Sequence, residues 1–397
     1  MKIVLKLMMI SMLFGVIGKV SYAQGEAAVP FLLLAPDSRA GGIGESGSGL
    51  ADNSSAIFWN PAGVAFLTGT EVGITHSNWL PQFNLDLFYD YLTYRQYFEE
   101  IDGSLLASFT YMNYGEFNRT TEAGPDIISV FRSYDFALTV GYATKLSSDW
   151  GIGFNARLIH SQLADKPTGE EQGSGIATSV SFDIATMWRP ETFVIPLLDE
   201  DIGGKISVGV NLSNLGPKIT YIDQAQADPI PTNFRFGFAY KVLDDEFNSL
   251  IYTLDFSKLL VSKITKTVPS GDTTKTVSES DEWYKAIFTA WGDEPFSNEL
   301  RDIVTSMGLE YWYGQPGDFL FALRSGFFYE DPAYGNRKFV TFGAGIRYDI
   351  YGFDFSYITT SVFKDGENHP LNNTLRFSIL IGWGGVPESS RGFPRGI

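Results

Sequence analysis

From about residue 71 to residue 384 the chain alternates, segment after segment, between a polar side and an apolar, aromatic side. Phe234, Phe236, Phe238 and Tyr240 alternate with Arg235, Gly237, Ala239 and Lys241. Ile206, Val208, Val210 and Leu212 alternate with Ser207, Gly209, Asn211 and Ser213. Successive side chains of a strand point to opposite faces, so each segment has one apolar and one polar face. One such strand suits any half-buried sheet. A run of them behind an export signal is the pattern of a transmembrane β-barrel, apolar toward lipid and polar toward the lumen.

The N-terminus supplies that signal. Lys2 and Lys6 form a positive start, Leu7 to Ile17 is mostly apolar, and Ser21-Tyr22-Ala23 fits a small-x-small cleavage site. Residues 1–23 are therefore expected to be a signal peptide, with Gln24 opening the mature chain. The apolar stretch is shorter than the ~20 residues a membrane-spanning helix needs. An exported chain of alternating strands has few homes other than an outer membrane.

Composition narrows the function classes. The chain has no cysteine, which excludes disulfides, a lipidated Cys, thiolate metal sites and a Cys nucleophile. Its formal net charge is −17, and losing Lys2, Lys6 and Lys19 with the signal takes it to −20. Nucleic acid is a poor partner for such a surface, because phosphate binding needs clustered Lys and Arg. Aromatic residues make up 15% of the chain, enough to furnish interfacial girdles.

The alternation predicts fourteen antiparallel strands near 71–79, 83–96, 104–118, 133–146, 149–163, 175–189, 204–213, 232–243, 248–260, 304–314, 318–330, 337–349, 351–363 and 374–384. An even number is what a bacterial single-chain barrel requires. Connections after the even-numbered strands are short, and those after the odd-numbered ones are mostly long and rich in Gly, Pro and charge. Short periplasmic turns and long outer loops alternate in this way when the N-terminus is periplasmic. The exception is the connection from Arg189 to Lys205, which is long on the periplasmic side. The acidic runs Asp199-Glu200-Asp201 and Asp244-Asp245-Glu246 read as solvated turns; they lack EF-hand spacing, and no metal or cofactor is expected.

The domain reading is a signal peptide over 1–23, an N-terminal plug over 24–70, a barrel over 71–384 and a tail over 385–397. A fourteen-stranded barrel is wider than side chains alone can fill, so it must be plugged or conduct water. The plug candidate contains Phe31-Leu32-Leu33-Leu34 and Asn60-Pro61-Ala62, the latter expected at the start of the first strand. Pro61 favours extended backbone at Asn60, and Asn can hydrogen-bond locally. The long loop 261–305 divides into a Thr/Ser/Lys-rich part over 263–281, expected to be mobile, and a helical part. Trp283, Ile287 and Trp291 recur at helical spacing, and a second short helix is expected after Pro295. This part either folds back on the barrel rim or presents a partner-docking surface.

Three further motifs bear on function. Gly42-Ile43-Gly44-Glu45-Ser46-Gly47 matches G-x-G-x-x-G, but no βαβ unit surrounds it, so flexible plug glycines are the better reading than a nucleotide site. His76-Ser77 and His160-Ser161 are adjacent pairs whose members point to opposite faces of a strand, so neither pair forms a nucleophile–base couple within itself. His369 stands alone. Asp135, Arg157, Asp183, Arg235, Asp255, Glu310, Arg324, Arg347, Asp354 and Arg376 fall on the lumen face, as a salt-bridge network holding the plug or as a permeation path. Lipid-facing Arg or Lys costs roughly 2–4 kcal/mol at the midplane, which favours the lumen for them.

Two segments carry a resemblance to a known family. Phe31-Leu32-Leu33-Leu34-Ala35-Pro36-Asp37-Ser38-Arg39-Ala40-Gly41-Gly42-Ile43-Gly44 and Leu50-Ala51-Asp52-Asn53-Ser54-Ser55-Ala56-Ile57-Phe58-Trp59-Asn60-Pro61-Ala62-Gly63 together resemble the start of the PorV family, outer-membrane shuttle proteins of the type IX secretion system of Bacteroidota. The Asn60-Pro61-Ala62 element also resembles that of the wider FadL-like fatty-acid transporters, whose barrels have fourteen strands. The resemblance implies a non-enzymatic role. In that family the barrel docks beside the large translocon barrel, receives substrates by their C-terminal signal domain and delivers them to a surface attachment complex. The alternative it leaves open is an outer-membrane transporter of long-chain fatty acids or other hydrophobic compounds. One departure is the end of the chain. The last strand closes near Trp383, yet the sequence runs on to Ile397, whereas many such barrels end on an aromatic residue of the last strand.

Overall fold

The computed structural model describes residues 27–384 except 84, 122–123, 165–173, 197–198, 222–226, 271–272, 316–317 and 365. The expected signal peptide and C-terminal tail lie outside the described residues. Eighteen strands follow in chain order. They are β1 (Thr70–Asn78), β2 (Phe88–Phe98), β3 (Gly103–Thr121), β4 (Gly124–Lys145), β5 (Trp150–Gln162), β6 (Ile176–Trp188), β7 (Val194–Ile195), β8 (Glu200–Asp201) and β9 (Ile206–Leu215). Then come β10 (Asn233–Asp244), β11 (Asn248–Leu259), β12 (Lys263–Ser270), β13 (Thr273–Ser280), β14 (Val304–Tyr313), β15 (Leu320–Tyr329), β16 (Lys338–Tyr348), β17 (Tyr351–Thr359) and β18 (Thr374–Trp383).

Fourteen of these close into one antiparallel barrel in the order β1-β2-β3-β4-β5-β6-β9-β10-β11-β14-β15-β16-β17-β18. Strand β18 returns to β1 in a register running from Thr70 opposite Trp383 to Ser77 opposite Arg376. Closure leaves no unpaired sheet edge along the wall, the condition for a sheet to cross a hydrocarbon layer. No helix among the described residues is long and apolar enough to cross a membrane.

The alternation seen in the sequence is the inside–outside alternation of the wall. Ile74, Leu92, Phe109, Leu138, Leu158, Val180, Leu323 and Ile379 are exposed on the outer face. Phe234, Phe236, Phe238, Val208 and Val210 share that face and are half-buried by their neighbours, while Ile206, at the first position of β9, is covered. All ten charged residues assigned to the lumen are buried. Aromatic rings gather at both ends of the outer face. Trp150 and Trp188 meet at one end, where Phe319 stacks on Tyr348 at 4.1 Å. At the other, a chain of rings runs through Phe88, Tyr111 and Tyr134. Two such belts bracket the band that faces lipid.

Differences from the sequence reading lie at strand ends and in loops. Strand β2 starts at Phe88, because Pro81–Phe83 forms a 3-10 turn first. Strands β3 and β4 run past the wall as a two-stranded ribbon, so what reads as a long loop is mostly paired chain. The segment expected to be mobile is also paired, β12 with β13. Its many β-branched Thr and Val residues suit a strand, and Pro269 sits near the turn, where a missing N–H is tolerated. The long Arg189–Lys205 connection holds the small pair β7–β8. Its Asp201 accepts the N–H groups of Phe193 and Gly203, both at 2.8 Å, so this acidic residue is a turn anchor.

Candidate functional site: the filled lumen and its long-connection mouth

Residues 27–69 occupy the barrel's interior. They form short turns only: a 3-10 turn at Pro30–Leu33, α1 (Ser38–Gly42), α2 (Ala56–Trp59) and a 3-10 turn at Pro61–Phe66. Prolines at the first position start both 3-10 turns, because their missing N–H is one the turn would leave unpaired. Asp37 caps α1, its carboxylate accepting from Ala40 N–H at 2.9 Å and from the Trp59 indole at 2.6 Å.

The interior is divided by chemistry. Against β2–β6 the segment is apolar: Val29, Phe31, Ile57 and Val64 pack with Tyr89, Tyr91, Met112 and Ile159. Against β14–β18 it is ionic. Arg39 donates through Nε and Nη2 to Glu310, both at 2.7 Å, and through Nη1 to Asp52 at 2.5 Å. Glu310 also accepts from Arg324 at 2.7 Å, Arg324 donates to Asp354 at 2.8 Å, and Asp354 accepts from Arg347 at 2.6 Å. The Trp312 ring lies within 6.0 Å of the guanidinium carbons of Arg39, Arg324 and Arg347. An aromatic face offers partial negative charge to cations that crowd one another.

The same stitching runs around the rest of the wall. Asp255 accepts from Ser48 N–H at 2.7 Å, Glu71 accepts from Ser54 N–H at 2.6 Å, and Arg376 pairs with Glu45 at 2.8 Å. Arg157 pairs with Asp183 at 2.7 Å, and Asn155 donates to both Asp183 and Ile57 O at 2.8 Å. Gly42 and Gly44, read in the sequence as flexible, are instead clamped. The Thr341 hydroxyl donates to Gly42 O and accepts from Gly44 N–H, each at 2.9 Å.

Asn60, Pro61 and Ala62 sit away from the start of β1. Asn60 has the extended backbone expected before proline, and its side chain accepts from Ala62 N–H at 3.1 Å. Its Nδ2 reaches Thr186 O of β6 at 3.0 Å, so the motif docks on the wall near β5, β6 and β9. The lead-in to β1 is made by Thr68 and Gly69, whose carbonyls accept from Arg95. The histidines behave as alternation requires. His76 faces outward to Asp90 at 2.7 Å while Ser77 is buried, and His160 faces outward to Thr178 at 3.0 Å while Ser161 is buried.

At the end with the long connections, α3 (Trp283–Thr289) and α4 (Phe296–Arg301) lie in the loop between β13 and β14. Trp283 and Ile287 are half-buried, and Trp291, two residues past the helix, sets its ring edge-on against Phe234 at 5.4 Å. Ala286 and Ala290 are buried, so the loop folds onto the rim. Trp291 is still 45% exposed, and the loop presents further apolar groups to solvent. Phe288 is 78% and Phe296 77% exposed, with Tyr284 and Leu300 beside them in the sequence pattern of exposed residues. The sequence reading missed them; Tyr284 and Phe288 were legible as an i, i+4 aromatic pair. The loop is held by Lys258, which pairs with Glu299 at 2.9 Å and with Asp302, and by Arg301, which meets Asp331 at 2.8 Å. Burial pushes the Asp302 carboxyl above its ordinary range despite the Lys258 bond. Burial also acts on Asp331, but the Arg301 hydrogen bond and the Ala333 N–H outweigh it and hold that carboxyl below the usual range.

A pocket opens between the inner segment and β10, β11, β14 and β15, just below this rim. Trp59, Arg235, Asp255, Ser306, Phe328 and Arg337 are among its lining residues.

Comparison with known proteins gives a family. The model of the family described as Type IX secretion system protein PorV matches residues 23–266. No curated protein matches the chain. Among solved structures, the P. putida toluene transporter TodX is 12% identical, with 90% of this chain and 97% of that chain covered and a TM-score of 0.46. A Pseudomonas aeruginosa FadL homologue is 11% identical, with 88% and 98% covered and a TM-score of 0.48.

Proposed function

The chain belongs to the PorV family of type IX secretion system proteins, and from that premise we propose that it is a non-enzymatic shuttle of that system in the outer membrane. In this reading the long connections face outward and the short turns face the periplasm. The barrel docks beside the large translocon barrel, receives secreted substrates by their C-terminal signal domain and hands them to the surface attachment complex.

One observation supports the reading above the others. The lumen is occupied by the chain's own N-terminal segment, bound by buried ion pairs on one side and apolar packing on the other. The surface left for a large partner is then the outer end, where Trp283, Ile287 and Trp291 support a loop that exposes Phe288 and Phe296. Exposed aromatics on a fixed support are the residue types that anchor protein interfaces.

Affinity purification of the tagged protein from native membranes tests this. Co-purification of a very large barrel and of secreted proteins is the expected result. Intact secretion with abolished fatty-acid uptake in a strain lacking the gene would overturn it in favour of a transporter of hydrophobic compounds.

A further inference from the structure

At the short-turn end of the barrel, the connection from Arg189 to Lys205 is the long one, and the secretion reading makes no use of it. It is a fixed element. Arg189 N–H donates to Asp149 O at 2.8 Å and Glu191 N–H to the Asp149 carboxylate at 3.2 Å, which ties it to the turn between β4 and β5. Within it, Phe193 N–H donates to the Asp201 carboxylate at 2.8 Å, Ile202 N–H to Phe193 O at 2.9 Å and Gly204 N–H to Pro190 O at 2.7 Å. The pair β7–β8 is therefore a closed hairpin.

This hairpin leaves apolar surface uncovered. Phe193 is 40% and Val194 51% exposed. A loose loop could fold over such groups, but one bonded along both strands holds them out for a partner surface. Phe193 sets its ring edge-on against Trp188 at 5.3 Å, and Trp188 meets Trp150 at 6.2 Å. The hairpin thus continues the aromatic belt at this end of the wall, where rings prefer the boundary between lipid and water. Leu146, 66% exposed, stands in the turn to which the hairpin is tied. The charge beside this apolar edge is mostly of one sign. Glu191, Asp199 and Glu200 are exposed and outnumber Lys205, while Arg189 turns inward to Leu50 O. Such an edge suits headgroups with no net charge and is repelled by anionic ones.

We propose that the β7–β8 hairpin is a membrane-surface foot. Phe193 and Val194 are set into the leaflet at the short-turn end, among lipids of no net headgroup charge, and Asp199 and Glu200 stay in water. The foot lies at the opposite end of the barrel from the aromatic loop, so its failure leaves the secretion reading untouched.

The chain has no cysteine, so a single introduced thiol reports from one place. The test labels Val194→Cys with bimane in the full-length protein, in phosphatidylcholine nanodiscs. Phe154→Cys on the lipid face of β5 and Glu200→Cys on the hairpin's acidic strand are the references. Spin-labelled lipid should quench the label at position 194 within about twofold of position 154, and iodide should quench it at least about threefold less than at position 200. Phe193→Cys repeats the measurement from the neighbouring position and serves if Val194→Cys does not fold. In discs rich in phosphatidylglycerol, quenching by lipid should fall about twofold at low salt and recover at high salt, because the repulsion is screened. Iodide access at positions 193 and 194 equal to that at 200, with no quenching by lipid, would overturn the foot and leave the hairpin to a protein partner. Lipid quenching that is unchanged or stronger in the anionic discs would overturn the choice of uncharged lipid.

Discussion

Arg39 and Glu310 are 271 residues apart in the chain and meet through two hydrogen bonds of 2.7 Å, both side chains nearly inaccessible to solvent. This pair joins the inner segment to the wall at β14. Breaking a buried, hydrogen-bonded pair from one side typically costs about 3–5 kcal/mol, because the partner charge stays behind. Arg39→Met leaves Asp52 without its guanidinium and Glu310 with Arg324 alone. The expected outcome is a barrel that still folds but leaks, read as raised conductance in planar bilayers. Deleting residues 26–58 should give a larger increase, and conductance unchanged by the deletion would mean that the segment does not seal the barrel.

The inner segment also depends on close backbone approach. A Cβ on Gly326 of β15 would lie 2.0 Å from Gly44 N, and Gly44 itself has φ +75°. Gly326→Val is expected to push Ile43 and Gly44 off the wall and to destabilise by about 1–3 kcal/mol or more. Gly115, at the bulge of β3, has φ +86° but open space around it. Gly115→Ala should therefore carry only backbone strain, roughly 1–2 kcal/mol, with the lumen still sealed. Comparing heat-modifiable gel mobility and conductance of the two variants separates close approach from strain.

Much of this was legible in the sequence. Period-two alternation marks a strand wherever one face is apolar, so Asp135, Arg157 and Asp183 could be placed inside before any partner was known. The partners were not legible. Nothing local tells Arg39 to choose Glu310, or Asn60 to reach Thr186, because such pairs are set by closure of the barrel. Arg235 was assigned to the lumen with the others, and its seat against the Phe58 and Trp59 rings emerges only when every neighbour is in place. The 263–281 stretch misled because its polarity resembles a mobile linker while its Thr and Val content suits a ribbon.

The tie between α4 and the β15–β16 connection should respond to acid. Asp331 is held below the usual carboxylate range through its bond to Arg301. A carboxyl depressed in the folded state contributes stability above its unfolded value near about 4. That contribution is lost as pH falls through the lower folded value. Protection of the amides in residues 296–301, corrected for intrinsic exchange, should therefore fall below about pH 4. Asp331→Asn should show the lower protection at neutral pH already, and protection independent of pH in the wild type would contradict the tie.

The last expectation concerns capture of partners by the outer loop. Trp291 sets its ring on Phe234 and lies 5.9 Å from Lys258 Nζ, while Trp283 is half-buried at the start of α3. These rings fix the loop, and Phe288 and Phe296 are its most exposed rings. Replacing both tryptophans by Ala should free the loop and weaken capture of cargo or translocon without unfolding the fourteen-stranded wall, whose pairing does not involve them. Replacing Phe288 and Phe296 by Ser should weaken capture with the loop still docked, by roughly tenfold or more if either ring is an interface anchor. Pull-down from native membranes measures the first quantity, and protease protection of residues 283–301 the second. Loss of capture in both variants with protection lost only in the tryptophan variant is the expected pattern. Full capture in both would move the docking surface elsewhere on the outer rim, with the ribbon of β3 and β4 the next surface to test.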